Sequence, residues 1–479
     1  DLINTHTQQD VELDKLFEDV ACYNTRIMGA AHVENVTELA CRTALSRRSV
    51  AHITMPVDMQ EEPVNKASRS KRNVPEHVSN ILAMRGGVPA EQALRQAAEI
   101  LNKGHRIVIL AGRGAIGAGD ILEQIAEKLG AVIAKPLLGK MSVPDDSPYC
   151  TGSVGLLGTK PSYDALKECD TLFIVGSSFP YIEFYPKIGQ VKSIQLDNDP
   201  ARIGLRYPAD VGLVGDAAKT LQELLPLLKE QESRRFLLDI QKSKEKWIEL
   251  LEERGTLSDM PMKPQVVAHE LNKLLRDDAI ILSDSGTIAT WYARQIHIRK
   301  GQMCTLSGNL ATMACGLPYA VGAQIAYPER QVVALVGDGG FTMLMAEMIT
   351  AKKYNLPIKI VVFKNNELGQ IKWEQMAFLG NPEYVCELEP FDFVKYAEAC
   401  GVAGYRAEDP RTCGDILKTA LSTSGPAVIE AVVDPFEPPL PAHIDFSQAK
   451  ALAESLMRGT PDRGKILKTL AKDTVRELI

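Results

Sequence analysis

"VVALVGDGGFTMLMAE", residues 332–347, runs from an apolar strand-like segment through Gly-Asp-Gly-Gly into a helix-like one. Asp338 therefore falls at the carboxyl end of a strand, where open α/β sheets receive ligands. Gly337, Gly339 and Gly340 let a ligand approach the backbone and leave amide N–H groups available. The helix that follows turns its N-terminus to the same point, favouring an anion by roughly 0.3–1 kcal/mol. Anion donors around one carboxylate point to a phosphate group carrying Mg²⁺, which takes about six oxygens from carboxylate, phosphate and water.

The next apolar run, "IKIVVF" (358–363), ends in Lys364-Asn365-Asn366-Glu367. One helical crossover returns it parallel to the first strand, so its end is expected beside Asp338. Asn365 can then offer its side-chain oxygen, and Glu367 its carbonyl, to the metal that Asp338 holds. Taken singly, Asp338 reads as a helix cap and Asn365-Asn366 as a turn. Their placement at the two ends of one βαβ crossover is what joins them into a site.

The same alternation extends outward. Residues 1–60 hold one amphipathic helix, 32–47, and one strand, 50–55. That is too little to cover both faces of a parallel sheet, so the chain is expected to open partway through a domain. Residues 61–85 read as a linker, with a basic cluster at Lys66–Arg72 as its solvated part. A second block, 86–229, has strands at 106–111, 131–134, 171–175 and 193–196 and a helix at 120–129. A charged helix, 230–254, within a connecting segment 230–262, leads to the third block, 263–435. There strands at 279–283, 332–336, 358–363 and 427–433 alternate with helices at 287–295, 311–326 and 342–354. An amphipathic tail, 436–479, closes the chain. The fold class is α/β, in successive doubly wound parallel-sheet domains.

Composition narrows the function. The 479 residues carry a net charge of −7, which argues against a nucleic-acid binder. Nine cysteines lie singly, with no Cys-x-x-Cys pair. This reads as a reduced, cytoplasmic chain without a disulfide frame or zinc site. No apolar run reaches the roughly 18 residues of a membrane span, and no signal peptide is visible.

Gly337-Asp338-Gly339 followed by Asn365-Asn366 resembles the binding motif of the thiamine-diphosphate enzymes. In that family the Asp, the first Asn and a backbone carbonyl hold Mg²⁺ on the cofactor's diphosphate. The resemblance implies metal ligands at Asp338, Asn365 and Glu367. It adds cofactor contacts at Asn309, Gly337, Gly339, Gly340, Thr342 and Asn366. "SGNLATMACGLPYAVGA" (307–323) is similar to the segment that props the cofactor in its bent shape, with Met313 as the bulky residue under the bend. By the same likeness, residues 1–60 are the C-terminal part of a pyrimidine-binding domain and 263–435 the diphosphate domain.

The middle block carries Gly112-Arg-Gly114-Ala-Ile-Gly117 after a strand, a dinucleotide-like spacing. A nicotinamide site would need an acid at the end of the next strand. That strand ends in Lys135-Pro136, so the reading loses its second support. "AGRGAIG", "GSVGLLGTK", "VGSSFPYIEFYP" and "IQLDNDPARIG" instead resemble the FAD domain of pyruvate oxidases and quinone-dependent pyruvate dehydrogenases. This implies FAD along Gly112, Gly114, Gly155, Gly176, Asp197 and Asp216. Plain decarboxylases of the superfamily have a similar domain without flavin, so glycine turns in a flavin-free domain stay open as the alternative.

The family's cofactor attacks the carbonyl of a 2-oxo acid and acts as electron sink while CO₂ leaves. In the oxidases the electrons pass to flavin and then to quinone or oxygen. The expected function is therefore oxidative decarboxylation of pyruvate or a similar 2-oxo acid with thiamine diphosphate, Mg²⁺ and FAD. An acetolactate-synthase-like carboligase and a non-catalytic cofactor-binding relative stand as alternatives. The family's activating Glu has no counterpart here, since its part of the first domain would precede Asp1. Glu374, in "ELGQIKWEQ", matches a family carboxylate near the substrate. Gln370 stands where pyruvate oxidases carry Phe, and Ile182 where relatives carry Arg near the flavin. Family members place the cofactor between two chains, which implies a homodimer or homotetramer. The basic amphipathic pattern after Thr460 suits docking on the protein itself or peripheral contact with the inner membrane surface.

Overall fold

Apolar runs of four to six residues form strands buried on both faces, and the amphipathic runs between them form the covering helices. The computed structural model describes residues 5–63, 70, 72, 86–439 and 446–478. These fall into two compact units divided after Gly86. Most of the basic cluster at 66–72 lies outside the described residues.

The first unit is a βαβ element. Strands β1 (Ala21–Arg26) and β2 (Val50–Thr54) pair in parallel, joined by the helix Val33–Arg47. Arg48, in the left-handed region, ends that helix. Among its described residues Ile27, Val36, Ala40 and Thr54 are buried, while Leu39, Leu45 and Val57 are exposed. The expected helix and strand are present. β1 was not foreseen, because Ala-Cys-Tyr-Asn-Thr-Arg lacks both an apolar run and clean alternation.

The second unit holds two six-stranded, wholly parallel sheets. The first comprises β3 (Ile107–Ala111), β4 (Val132–Lys135), β5 (Cys150–Ser153), β6 (Thr171–Val175), β7 (Lys192–Asp197) and β8 (Val211–Val214), ordered β5-β4-β3-β6-β7-β8. The second comprises β9 (Ile280–Ser283), β10 (Met303–Thr305), β11 (Val332–Gly337), β12 (Lys359–Lys364), β13 (Ala403–Ala407) and β14 (Ala427–Val432), ordered β10-β9-β11-β12-β14-β13. Successive residues face opposite cores: Val333 and Leu335 enter one cluster, Val332, Ala334 and Val336 the other. The chain order reverses between β3 and β6 in the first sheet and between β9 and β11 in the second, where β14 also inserts between β12 and the edge strand β13. A crevice at the strand ends opens at such a point. The sequence motifs lie at both crevices.

Several elements differ from expectation. The helix placed at 311–326 starts only at Gly316; residues 311–315 form a loop with Ala311 and Ala314 in the left-handed region. The helix placed at 342–354 is two helices, Asp338–Leu344 and Glu347–Lys353. The first begins at Asp338 itself, so this residue is not a cap. The charged helix Arg235–Gly255 is no free connector, since its Phe236, Leu237 and Ile240 belong to the core of the first sheet. The segments β5, β8, β10 and β13 are additional edge or near-edge strands whose short runs carried no periodic signal.

The two sheets are tied by a buried ion triad. Lys135, at the end of β4, donates to Asp145 at 2.8 Å and to the carbonyls of Val143 and Lys140. Lys140 reaches the other Asp145 oxygen at 3.1 Å and the Ala293 carbonyl at 3.1 Å. Asp145 also accepts the Ile298 N–H at 2.8 Å. Burial opposes both charges, but Lys135 and Lys140 together hold the Asp145 carboxyl well below its ordinary value, and Asp145 holds Lys135 above its own.

Candidate active site

β11 and β12 are direct neighbours, with Gly337 opposite Phe363 in register, so their ends emerge side by side. Asp338 is buried at that point. Its Oδ2 accepts the N–H groups of Asn366 at 2.6 Å and Asn365 at 3.1 Å, and its Oδ1 accepts that of Gly339 at 2.8 Å. The carboxylate thus holds the loop that carries Asn365. Asn366 adopts the left-handed conformation, φ 56°. Asn365 Oδ1 accepts the Glu367 N–H at 3.1 Å and keeps a second lone pair. Burial raises the Asp338 carboxyl pKa, opposed by those backbone hydrogen bonds.

The donor chemistry around Asp338 fits a hard cation. Among the described residues no group of three or more His, Cys, Asp or Glu could hold a metal. One carboxylate, one amide oxygen and one carbonyl leave half of an octahedron for phosphate and water, the usual arrangement for Mg²⁺. The Glu367 side chain is engaged elsewhere. Both its oxygens lie 2.8 Å from the buried Lys372, which also meets Glu383 at 3.0 Å. Burial pushes the Glu367 carboxyl up to about 7. Only its main-chain carbonyl is left to serve a metal.

The three glycines have different reasons. A Cβ on Gly337 would meet nothing, so the protein's own packing does not require glycine there. A Cβ on Gly339 would lie 2.9 Å from Leu368 and 3.7 Å from the Met313 methyl. Met313 thus reaches the residue beside Asp338. A Cβ on Gly340 would lie 2.0 Å from Oδ2 of Asp284, a residue the sequence reading passed over. Asp284 follows β9, is fully buried, and accepts N–H groups from Ala314 and Gly316. Its signal was in the sequence: "SDSGT" (283–287) repeats the strand-acid-glycine grammar of the opening stretch.

Thr342 is exposed, and its hydroxyl donates back to the Gly339 carbonyl at 2.9 Å. Asn309 is exposed in the turn before Met313 and shares no hydrogen bond with the Asp338 group among the described residues. Gln370 and Glu374 stand one turn apart on the helix Gly369–Ala377, the Gln370 amide donating to the Glu374 carboxylate at 2.9 Å. The opposite side of this helix sends Trp373 and Met376 into a cluster with Leu452, Leu456 and Ile466 of the C-terminal helices Phe446–Met457 and Arg463–Leu478. Ile466 is fully buried and Leu470 packs beside it, so these two apolar positions of the tail face the protein's own core. No helix among the described residues is long and apolar enough to cross a membrane.

At the other crevice, Gly112, Gly114 and Gly176 cross at backbone distance. A Cβ on Gly112 would sit 2.4 Å from the Gly176 carbonyl oxygen, and one on Gly114 2.8 Å from the Gly176 Cα. Gly155, at φ 100°, lies under Phe179 and Tyr181. Asp197 ends β7 and accepts the Asp199 N–H at 3.0 Å. Asp216 caps the helix Ala217–Leu224, its Oδ1 accepting the Lys219 N–H. Elsewhere, Ser153 Oγ at the end of the edge strand β5 is buried without a hydrogen-bond partner among the described residues, as are both polar atoms of Gln295. Lys135 stands where a nicotinamide site would need an acid, and its burial against Asp145 removes that reading.

Comparison with known proteins agrees with this geometry. Residues 94–224 match the thiamine pyrophosphate enzyme central domain, and residues 284–431 the C-terminal TPP binding domain. The chain belongs to the thiamine pyrophosphate enzyme family. It is 36% identical over 98% of its length to YdaP of Bacillus subtilis (strain 168), assigned as a thiamine pyrophosphate-containing protein, and covers 80% of that relative. It is 32% identical, over 91% of its length and 75% of the relative's, to a protein of Methanocaldococcus jannaschii assigned as an acetolactate synthase large subunit. It is 30% identical, over 92% and 72%, to the pyruvate oxidase of Lactiplantibacillus plantarum.

Proposed function

We propose that this thiamine-diphosphate-dependent enzyme decarboxylates pyruvate or a similar 2-oxo acid oxidatively, using Mg²⁺ and FAD and passing electrons to quinone or oxygen. The observation that supports it most is the buried Asp338 carboxylate gripping the Asn365–Asn366 backbone, with the Met313 methyl beside Gly339. Bound thiamine diphosphate would supply the nucleophile and the electron sink for decarboxylation. Asp338, Asn365 and the Glu367 carbonyl would hold the metal on its diphosphate, with Gly337 open to close approach. Met313 would support the bend of the cofactor. Glu374, oriented by the Gln370 amide, would face the substrate and hold or move a proton there. Gly112, Gly114, Gly155, Gly176 and Asp197 would follow FAD. We further propose a homodimer or homotetramer, in line with exposed apolar residues Met343, Leu344 and Ile349 near the site.

Carboligation to acetolactate is the second reading, favoured by the polar Gln370 and by the acetolactate synthase relative. Incubation with pyruvate separates the two. Reduction of a quinone or of oxygen coupled to CO₂ release supports the oxidase; acetolactate formed without acceptor reduction overturns it. Asp338→Ala is expected to abolish Mg²⁺-dependent binding of thiamine diphosphate, measured by calorimetry. Unchanged affinity would remove the metal assignment.

A further inference from the structure

Two carboxylates flank the crevice of the second sheet: Asp338 after β11 and Asp284 after β9. Their surroundings differ. Asp284 touches the loop 311–316 with both oxygens, accepting the Ala314 N–H at 2.8 Å and the Gly316 N–H at 3.2 Å. Its own N–H is fixed on the Leu335 carbonyl of β11 at 2.9 Å. The glycine at 340 leaves the space that its Oδ2 occupies. The loop it grips carries Ala311 at φ 52° and Ala314 at φ 67°, a conformation that alanine adopts only under constraint. Cys315 adds a contact from Sγ to the Ser283 carbonyl at 3.5 Å. Met313 lies between these anchored residues and reaches Gly339.

We infer that Asp284 is a positioning residue: its carboxylate holds the 311–316 loop in its left-handed form and so presents Met313 to the thiamine diphosphate, without touching that cofactor itself. This rests on the reading of the Asp338 site as the cofactor site. The carboxylate accepts two charge-assisted hydrogen bonds from the main chain on either side of Cys315. Replacing one oxygen by an amide NH₂ would turn a donor toward a backbone donor and release one end of the loop.

The test compares the full chain with Asp284→Asn, Ala314→Gly and Asp338→Ala. The readouts are calorimetric binding of thiamine diphosphate with Mg²⁺, near-ultraviolet circular dichroism of the bound cofactor, and amide hydrogen exchange. For Asp284→Asn the expected result is faster exchange at Ala314 and Gly316, binding weaker by about tenfold, and an altered dichroism signal. The dependence on Mg²⁺ concentration should stay as in the parent, whereas Asp338→Ala loses it. Ala314→Gly, which relaxes the backbone but keeps the carboxylate, should fold and show a smaller change of the same kind. It carries the test if Asp284→Asn does not fold. Parent-like exchange, affinity and dichroism in the variant that folds would overturn the inference while leaving the cofactor site standing. A parent chain that binds no thiamine diphosphate would overturn both.

Discussion

Asp338 and Asp145 are both buried acids, and their settings set their consequences. Asp338 accepts three backbone amides, and burial raises its pKa against them and the Lys364 charge; a bound cation would stabilise its charge further. Asp145 already has two lysines. Asp145→Asn would leave Lys135 and Lys140 buried without a counter-charge, and we expect a loss of about 3–5 kcal/mol in urea unfolding at neutral pH. The sign with pH follows from the depressed pKa. Asp145 contributes stability fully above its ordinary value of 3.8, and this is lost as pH falls through the lower folded value. The gap between variant and parent should therefore be flat from pH 5 to 8 and narrow in acid. At this scale the sequence was partly legible. Asp338 and Asn365 stood out because each ends an apolar run. Asp284 ends one too, but its partners are amides thirty residues on, in a loop whose left-handed alanines no local pattern announces. Lys135 was seen as an obstacle to a nicotinamide site, while Asp145, its reason for being there, sits in an irregular segment.

Elements with a strong period were readable; those defined by tertiary contact were not. β6 and the helix Thr287–Gln295 fall where the apolar pattern puts them. The helix at 316–326 was drawn too long, because the apolar and small residues from 311 onward suit a helix, while their N–H groups go instead to Asp284 and Ser307. The crossing of Gly112, Gly114 and Gly176 is another tertiary feature. Those glycines looked like a ligand loop, and they are also the points where the ends of β3 and β6 touch. Gly112→Ala would force a methyl against backbone, not against a side chain that can move. We expect it to cost about 1–3 kcal/mol and lower the melting temperature even with no cofactor present. An unchanged melting temperature, with loss of flavin alone, would assign Gly112 to the ligand.

Across the whole molecule, the alternation of strand and helix disclosed parallel sheets, while strand order and the reversal points needed the structure. The tail shows the same division. Its amphipathic pattern left two uses open, and the burial of Ile466 against Trp373 and Met376 shows what its first turns face. Ile466→Ala should destabilise this contact by about 2–4 kcal/mol, seen as faster proteolysis after residue 457 at unchanged overall secondary structure. The proposed flavin site belongs to the same scale, since its glycines and Asp197 lie at or beyond the ends of several strands. Purified protein incubated with FAD is expected to retain the flavin absorption band through gel filtration, and a colourless folded sample would remove the flavin from the proposal.

Ala311 and Ala314 bear on how this chain would respond to engineering. Glycine at either position would relieve a left-handed backbone that opposes folding by about 1–2 kcal/mol per alanine, partly offset by the greater freedom of glycine in the unfolded chain. A campaign selecting only for heat resistance would thus be drawn toward glycine there. It would gain thermal tolerance by softening the segment beside the proposed cofactor site, so survivors of such a screen should be ranked by turnover before they are ranked by melting point.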